Sequence, residues 1–250
     1  MKRRVRQAIS AMVAPFGYLL LPEENVAQPS ASALRVRLFR QIAAKGLRPK
    51  HIIDVGAHRG AWSRDAAGVF PDVAITLIEP QEEMTEHLER FCAEHPNATW
   101  IRAGAGDAKT ELPLTLAGRL DGRTLTISED DAQARGLEQR TVSVVTLDDV
   151  VAESGHPEPE IVKIDAEGMD LQVIQGAKSL LGKTELFFLE LPLFDQPGQS
   201  WHSIIAFMRE QGYEPFDITD LNRRKSDDAL GLIEMAFAKK AGLLRDHHGW

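Results

Sequence analysis

The chain has almost no cysteine, with Cys92 as the single thiol among 250 residues. One cysteine cannot form an internal disulfide, so the sequence predicts a protein of a reducing, cytoplasmic compartment. Cys92 lies among apolar positions of a predicted helix. We therefore expect a buried small hydrophobic side chain rather than a nucleophile.

Positive charge is scarce relative to negative charge. The chain has 29 Lys and Arg residues against 37 Asp and Glu residues, for a net charge of −8. This balance argues against a broad electrostatic interface with nucleic acid, and we expect no nucleic-acid partner. The apolar fraction of 43% is typical of a globular protein, and 250 residues suffice for one large buried core.

The apolar stretch at the N-terminus is too short to cross a bilayer. It runs from Ala8 to Leu21 behind the basic sequence KRRVR, is interrupted by Pro15 and Gly17, and falls short of the ~20 apolar residues of a spanning helix. It also matches a secretory signal poorly. The alternatives are a basic arm that contacts a membrane surface or a partner, and a helix packed on the domain or on a second subunit. We assign residues 1–45 to a helical arm and linker.

The rest of the chain alternates between strand-like and helix-like segments. Short runs such as IIDV, IVKI and LFFLEL are apolar at nearly every position, which is typical of parallel strands covered on both faces. The alternation predicts a doubly wound α/β sheet. The predicted strands are 51–55, 74–78, 99–102, 160–164, 186–191, 213–218 and 232–238, and the predicted helices are 33–45, 61–69, 82–94, 170–181 and 203–211.

One stretch, Glu111–Thr146, breaks this alternation. The runs LPLTLAG and GRTLTIS flank a turn at residues 119–122 and predict a β-hairpin, and TVSVVTL adds another alternating strand. We expect an insertion beside the ligand pocket.

The segments HIIDVGAHRGA and LIEP predict a nucleotide-type pocket. Glycines after a strand let the backbone turn sharply toward a ligand, and a carboxylate at the end of the next strand can accept from two ribose hydroxyls. The candidates are Asp54, Gly56, Ala57 and Gly60 in the first segment, and Glu79 with Pro80 in the second.

A glycine is missing from the middle of this loop, which bears on the choice of nucleotide. A dinucleotide-binding loop has the pattern G-x-G-x-x-G, whereas His58 occupies the middle position here. Asp54 places a negative charge where a sulfonium or ammonium group is better suited than a pyrophosphate. The loop therefore favours S-adenosylmethionine (SAM), with an NAD-dependent dehydrogenase as the alternative.

A second acidic motif, KIDAEG, follows the strand at 160–164. Ligands of open α/β sheets bind at the carboxyl ends of strands, where Asp165 and Glu167 stand. Two carboxylates close together require a ligand, a cation or a shared proton. The alternative is that they stabilise the start of the following helix. Mg²⁺ coordination through Asp165, Glu167 and Glu190 is a further alternative that no spacing demands, and we assign no metal site.

Five segments occur in an order and spacing that resemble the FkbM family of SAM-dependent methyltransferases. They are IIDVGAHRGAWS, LIEP, AGD, VVTLDD and IVKIDAEGMDLQVIQGA, and they span roughly residues 50–195. The resemblance implies that residues 46–250 form a class I methyltransferase domain, with a mostly parallel seven-stranded sheet whose last strand is antiparallel. It also implies O-methylation of a hydroxyl on a sugar, glycan or secondary metabolite.

The resemblance extends to individual residues. It implies that Asp54, Gly56, Ala57 and Gly60 form the SAM loop and that Glu79, followed by Pro80, accepts from the ribose. Asp107 would then contact the adenine amino group, with a solvated turn aspartate as the alternative. Ser63 would contact the methionine carboxylate or would serve only as an early residue of the following helix.

The catalytic step needs a base near the acceptor hydroxyl. Asp165 is the first candidate, with Glu167, Glu190 and His58 as the others, and Lys163 is expected to pair with one of the carboxylates. Methylation of nitrogen in a protein or nucleic acid is an alternative, which the absence of an Asn/Asp-Pro-Pro-aromatic motif disfavours. A non-catalytic SAM-binding scaffold is the other alternative.

Overall fold

The computed structural model describes residues 29–116, 123–194 and 200–245. The predicted basic arm before residue 29 lies outside these ranges. The chain divides into Met1–Ser30 and Ala31–Trp250, and the elements described below belong to the second unit. None of the helices in the described ranges is both long and apolar enough to cross a bilayer.

A seven-stranded sheet forms the centre of this unit. Its strands are β1 (His51–Val55), β2 (Ala74–Ile78), β3 (Ala98–Ile101), β7 (Ile161–Ile164), β8 (Leu186–Pro192), β9 (Tyr213–Arg223) and β10 (Leu230–Lys239). The order across the sheet is β3-β2-β1-β7-β8-β10-β9, and β10, the last strand in sequence, runs antiparallel to both of its neighbours. The predicted fold class is confirmed.

Seven α-helices accompany the sheet in the described ranges: α1 (Ala31–Ala44), α2 (Ala61–Ala67), α3 (Thr85–Glu94), α4 (Glu129–Ala134), α5 (Leu147–Ser154), α6 (Asp170–Gln175) and α7 (Trp201–Glu210). Every residue of β1, β2 and β7 is buried, because hydrophobic clusters lie on both faces of the sheet. The first helix belongs to this core, since its Leu38, Phe39 and Ile42 are fully buried.

The helices differ from the prediction in two respects. Helix α6 ends at Gln175 rather than continuing to residue 181, and Gly176 follows it, where an added Cβ would lie 2.0 Å from the carbonyl oxygen of Gly106. Helices α4 and α5 were not predicted, although the sequence carries capping signals for both. Ser128 and Thr146 each accept a hydrogen bond from the backbone amide three residues later.

The predicted hairpin within Glu111–Thr146 is wrong in its pairing. Strand β5 (Thr110–Leu116) pairs along its length with β6 (Glu138–Val145), which also pairs with the short strand β4 (Gly104–Ala105). The run GRTLTIS contributes a single isolated bridge, between Thr115 and Thr124. The insertion is therefore a separate three-stranded sheet rather than a local hairpin.

Cys92 lies on α3 and is half-buried against the core. Burial raises the pKa of its thiol, which disfavours the nucleophilic thiolate. The environment agrees with the expected role as a small hydrophobic side chain.

Candidate functional site

Two cavities lie at the edge where the parallel strands of the main sheet end. The first cavity lies between the turns after β1, β2 and β7 on one side and the three-stranded sheet on the other, and its lining includes Glu79, Gln81 and Arg123. The second cavity lies on the side of β8, β9 and β10, and its lining includes Glu190 and Glu234.

The turn after β1 requires a left-handed backbone at three positions. Gly56, His58 and Gly60 have φ of +69°, +47° and +72°. A Cβ at Gly56 would lie 1.8 Å from the carbonyl oxygen of Asp165, so no other residue fits between this turn and the end of β7. The amides of Gly56 and Ala57 both donate to the carbonyl of Ile78, which fixes the turn against β2.

Glu79 is held at the end of β2 by backbone amides. It is 2% exposed, and its Oε2 and Oε1 accept from the amides of His58 at 2.8 Å and Gln81 at 3.0 Å. Burial raises the pKa of this carboxyl, although the hydrogen bonds from Gln81 and His58 oppose the shift. Since a carboxylate has about four acceptor positions, Glu79 retains the capacity to accept from a ligand.

Asp54 and Ser63 do not line either cavity. Both are fully buried, and the Ser63 hydroxyl donates to Asp54 Oδ2 at 2.6 Å. The Ser63 hydroxyl is thus engaged with Asp54, and its contact with the methionine carboxylate stays a prediction. These two side chains join the end of β1 to the start of α2.

Lys163 forms the contacts with carboxylates that the sequence predicted. Its Nζ lies 3.3 Å from Asp54 Oδ1 and 3.2 Å from Asp165 Oδ2. It also donates to the carbonyls of Val55 at 3.0 Å and Gly56 at 2.8 Å. The ammonium thus lies beneath the turn after β1 and touches both motifs.

The second cavity is rich in carboxyl groups. Glu190 and Asp220 occupy the positions opposite Glu234 on its two neighbouring strands, and all three line the cavity together with Asp165. Burial raises the pKa of Glu190, and the charges of Asp165, Asp170 and Glu167 raise it further. Burial also raises the pKa of Glu234, against a hydrogen bond that Thr219 donates to its Oε1 at 2.6 Å.

The predicted site residues divide into three groups. The first cavity is lined by Gly56, His58, Glu79, Pro80, Asp165 and Glu167. The second is lined by Gly56, Ala57, His58, Asp165 and Glu190. Asp54, Gly60, Ser63 and Asp107 appear in neither lining.

Asp107 lies outside both cavities, and its contact with the adenine amino group stays a prediction. Its side chain is exposed, and the first cavity is instead lined by Ala103, Gly104 and Ala105 just before it. Of the motif AGD, Ala105 lines the first cavity.

Several lining residues were not singled out from the sequence. Gln81 directly follows LIEP, and Glu234 is the single charged residue of the apolar run LGLIEMAFA, so both carried a readable signal. Arg35 and Asp220 carried none, since each lies far in sequence from the motifs, whereas Arg123 lies in the run GRTLTIS of the predicted insertion.

No group of three or more His, Cys, Asp or Glu side chains in the described part of the chain is arranged to hold a metal ion. The carboxyls of the second cavity therefore form no recognisable metal centre among these residues.

Comparison with known proteins gives a family and distant structural neighbours. A precorrin-6y C5,15-methyltransferase from Geobacter metallireducens is 14% identical, with a TM-score of 0.45 over 81% of this chain and 88% of its own. A 1,6-didemethyltoxoflavin-N1-methyltransferase from Burkholderia thailandensis, solved with bound 1,6-didemethyltoxoflavin and S-adenosylhomocysteine, is 12% identical, with a TM-score of 0.43 over 94% of this chain and 87% of its own. A search of curated proteins gives no match.

The family assignment comes from the sequence of the domain itself. The family model described as "Methyltransferase FkbM domain" matches residues 54–215, which include the turn after β1, Glu79 and the KIDAEG motif. The match covers more than half of the chain, and the protein belongs to the FkbM methyltransferase family.

Proposed function

We propose that the protein is a SAM-dependent O-methyltransferase that acts in the cytoplasm on a hydroxyl of a sugar, glycan or secondary metabolite. The observation that carries this proposal is the position of Glu79. This buried carboxylate lines the first cavity beside the glycine turn after β1 and can still accept hydrogen bonds from a ligand.

The first cavity fits the adenosine part of this cofactor. Glu79 suits a pair of ribose hydroxyls, because one carboxylate accepts from two donors. Gln81 is 7% exposed, and its Oε1 has no hydrogen-bond partner among the described residues. A buried acceptor without a donor is costly, and a hydroxyl or amino group of a ligand would satisfy it. Apolar side chains such as Leu114 and Leu125 complete the cavity.

When bound, SAM supplies an electrophilic methyl group on a sulfonium. The chain's own contribution is to align the acceptor and to take a proton from it, since alignment accounts for much of the rate gain in such a displacement. Asp165 lines both cavities, which supports its carboxylate as the base that accepts the hydroxyl proton. Glu190 is the second candidate, because a carboxyl with a raised pKa is better matched to proton transfer near neutral pH.

The other two candidates are less suited to act as the base. The Glu167 side chain is exposed and lines the first cavity but not the second. His58 lines both cavities, but its left-handed backbone and its amide bond to Glu79 already give it a role in the turn.

Ligand-dependent stability tests the cofactor. We would measure the unfolding temperature of the purified protein with SAM, S-adenosylhomocysteine and NAD⁺ in parallel. A ligand at about 100 times its Kd adds roughly 2.7 kcal/mol of stability if it binds only the folded state. We expect stabilisation by the two sulfur compounds and none by NAD⁺.

Glu79→Ala should abolish this stabilisation, whereas Glu82→Ala should retain it because Glu82 is exposed on the neighbouring turn. Stabilisation by NAD⁺ instead would overturn the proposal in favour of a dehydrogenase. If the sulfur compounds stabilise the protein, release of S-adenosylhomocysteine can be screened across hydroxyl and amine acceptors. Turnover with amines alone would contradict O-methylation.

A further inference from the structure

A narrow partition separates the two cavities. Gly56, His58 and Asp165 line both of them, so these residues form the wall that the cavities share. The carbonyl of Asp165 is packed directly against Gly56, where even a methyl group would not fit. If the cofactor occupies the first cavity and the acceptor the second, these three residues border both ligands.

Lys163 supports this wall from beneath. The side chain is 4% exposed, and its Nζ contacts the Gly56 carbonyl and the Asp165 carboxylate at 2.8 and 3.2 Å. The same atom reaches the Val55 carbonyl and Asp54 Oδ1. Two members of the partition are therefore bound to one buried cation, which is itself anchored to the end of β1.

We propose that Lys163 is a positioning residue, which fixes the turn at Gly56 and the Asp165 carboxylate relative to each other and supplies the positive charge that the surrounding carboxylates need. This inference rests on the proposed methyltransferase function, because it assigns the two cavities to cofactor and acceptor.

The charges around Lys163 agree with this role. Burial alone would lower the pKa of the Lys163 ammonium. The charges of Asp165, Asp54 and Glu234, together with the hydrogen bond to Asp165, outweigh burial and raise this pKa, so the side chain stays protonated. In turn, Lys163 lowers the pKa of Glu79, Glu190 and Glu234, each of which burial raises. The other charged or titratable side chains that line the second cavity are Arg35, His58, Arg59 and Asp220.

Binding of S-adenosylhomocysteine as a function of pH tests the proposal. Its Kd would be measured by calorimetry between about pH 5.5 and 8 for the wild type, Lys163→Met and Lys163→Arg. Lys239→Met is the matched control, because Lys239 also forms a partly buried ion pair, with Glu185, far from the site.

We expect Lys163→Met to weaken binding by about ten- to a hundredfold, the size expected for lost hydrogen bonds from a charged donor. The weakening should grow as the pH falls, because Glu79 takes up a proton at higher pH without the ammonium. Lys163→Arg should restore the wild-type pH profile, and Lys239→Met should bind as the wild type does. A residue that only stabilised the fold would lower the unfolding temperature without changing this profile.

Lys163→Met with the wild-type Kd and pH profile would overturn the inference while leaving the proposed function intact. Failure of the wild type to bind S-adenosylhomocysteine would overturn both. If Lys163→Met does not fold, the double variant Lys163→Met/Asp54→Asn is measured in its place. It removes both charges of the buried contact between Lys163 and Asp54. The same two results for that variant then support or overturn the inference.

Discussion

Glu190 and Glu234 lie directly opposite each other on the antiparallel strands β8 and β10, and both line the second cavity. Side chains at such positions have Cβ atoms about 4.5–5.5 Å apart, a separation at which like charges repel. Burial and the surrounding carboxylates raise the pKa of both groups. Both carboxyl groups therefore retain a proton to higher pH than an ordinary glutamate does.

This pair predicts a stability that falls as the pH rises. A carboxyl whose pKa is raised in the folded state holds its proton longer than in the unfolded chain. Its contribution to stability is complete below the unfolded pKa and is lost as the pH rises through the folded pKa. Glu190→Gln carries no charge, so its unfolding free energy should be higher than that of the wild type at pH 8 and should vary less with pH. Urea unfolding at a series of pH values measures this, and a parallel pH dependence in the two proteins would contradict it.

His51 predicts a pH dependence of opposite sign. The ring is fully buried, and its Nδ1 and Nε2 lie 2.9 Å from the Pro157 carbonyl and from Thr76 Oγ1. Burial lowers its pKa below the ordinary 6.5, with a smaller contribution from His156. The unfolded chain therefore takes up a proton first, and stability should fall as the pH drops below 6.5.

His51→Gln does not titrate, so its unfolding free energy should fall less steeply than that of the wild type below this pH. His87→Gln, on α3, is the control and should retain the wild-type slope. Equal slopes for the wild type and His51→Gln would remove His51 as the cause.

Gly56→Ala should be far more destabilising than a comparable substitution elsewhere. Gly155 has the same φ of +69°, but nothing lies within 4 Å of a Cβ at that position. Gly155→Ala should therefore lower the unfolding free energy only by the strain of an alanine in the left-handed conformation, about 1–2 kcal/mol. In Gly56→Ala the new methyl group also overlaps the Asp165 carbonyl, so the unfolding free energy should fall by well over about 2 kcal/mol. We expect this variant to lose S-adenosylhomocysteine binding as well. Similar costs for the two variants, measured by urea unfolding, would show that this close approach is wrong.

Asp165→Asn should separate catalysis from cofactor binding. Removal of a general base lowers turnover by about 10²–10⁴-fold. Turnover is measured as the rate at which S-adenosylhomocysteine is released with an acceptor found by the screen, and we expect this rate to fall by that factor. The Kd for SAM should stay within an order of magnitude of the wild-type value. Asp107→Asn is the control, because Asp107 is exposed and outside both cavities. Unchanged turnover in Asp165→Asn would show that Asp165 is not the base and would favour Glu190 instead.

The fold could be predicted because its signals are local. Runs such as IIDV and IVKI are apolar at nearly every position, and all of their positions in β1 and β7 are buried. The hairpin prediction failed because alternation shows that a segment suits a strand but does not show its partner. Strand β5 pairs along its length with β6, which follows the unpredicted helix α4, rather than with the adjacent run GRTLTIS.

The candidate site was predictable only in part, because a residue type at a strand end does not fix the direction of its side chain. Glu79 points to the first cavity, whereas Asp54 at the end of the neighbouring strand is buried and contacts Ser63 and Lys163. The motifs identified both carboxylates, and their surroundings determine that only Glu79 lines a cavity.

The sequence by itself determined a doubly wound α/β domain, its glycine turn and its family, since hydrophobic period and motif spacing are properties of neighbouring residues. Only the tertiary structure decided that Glu190, Glu234 and Asp220 share one cavity and that Lys163 joins the two motifs. These residues meet because the antiparallel strand β10 inserts between β8 and β9. Pairing between strands so distant in the chain depends on how the whole sheet packs, and no local pattern encodes it.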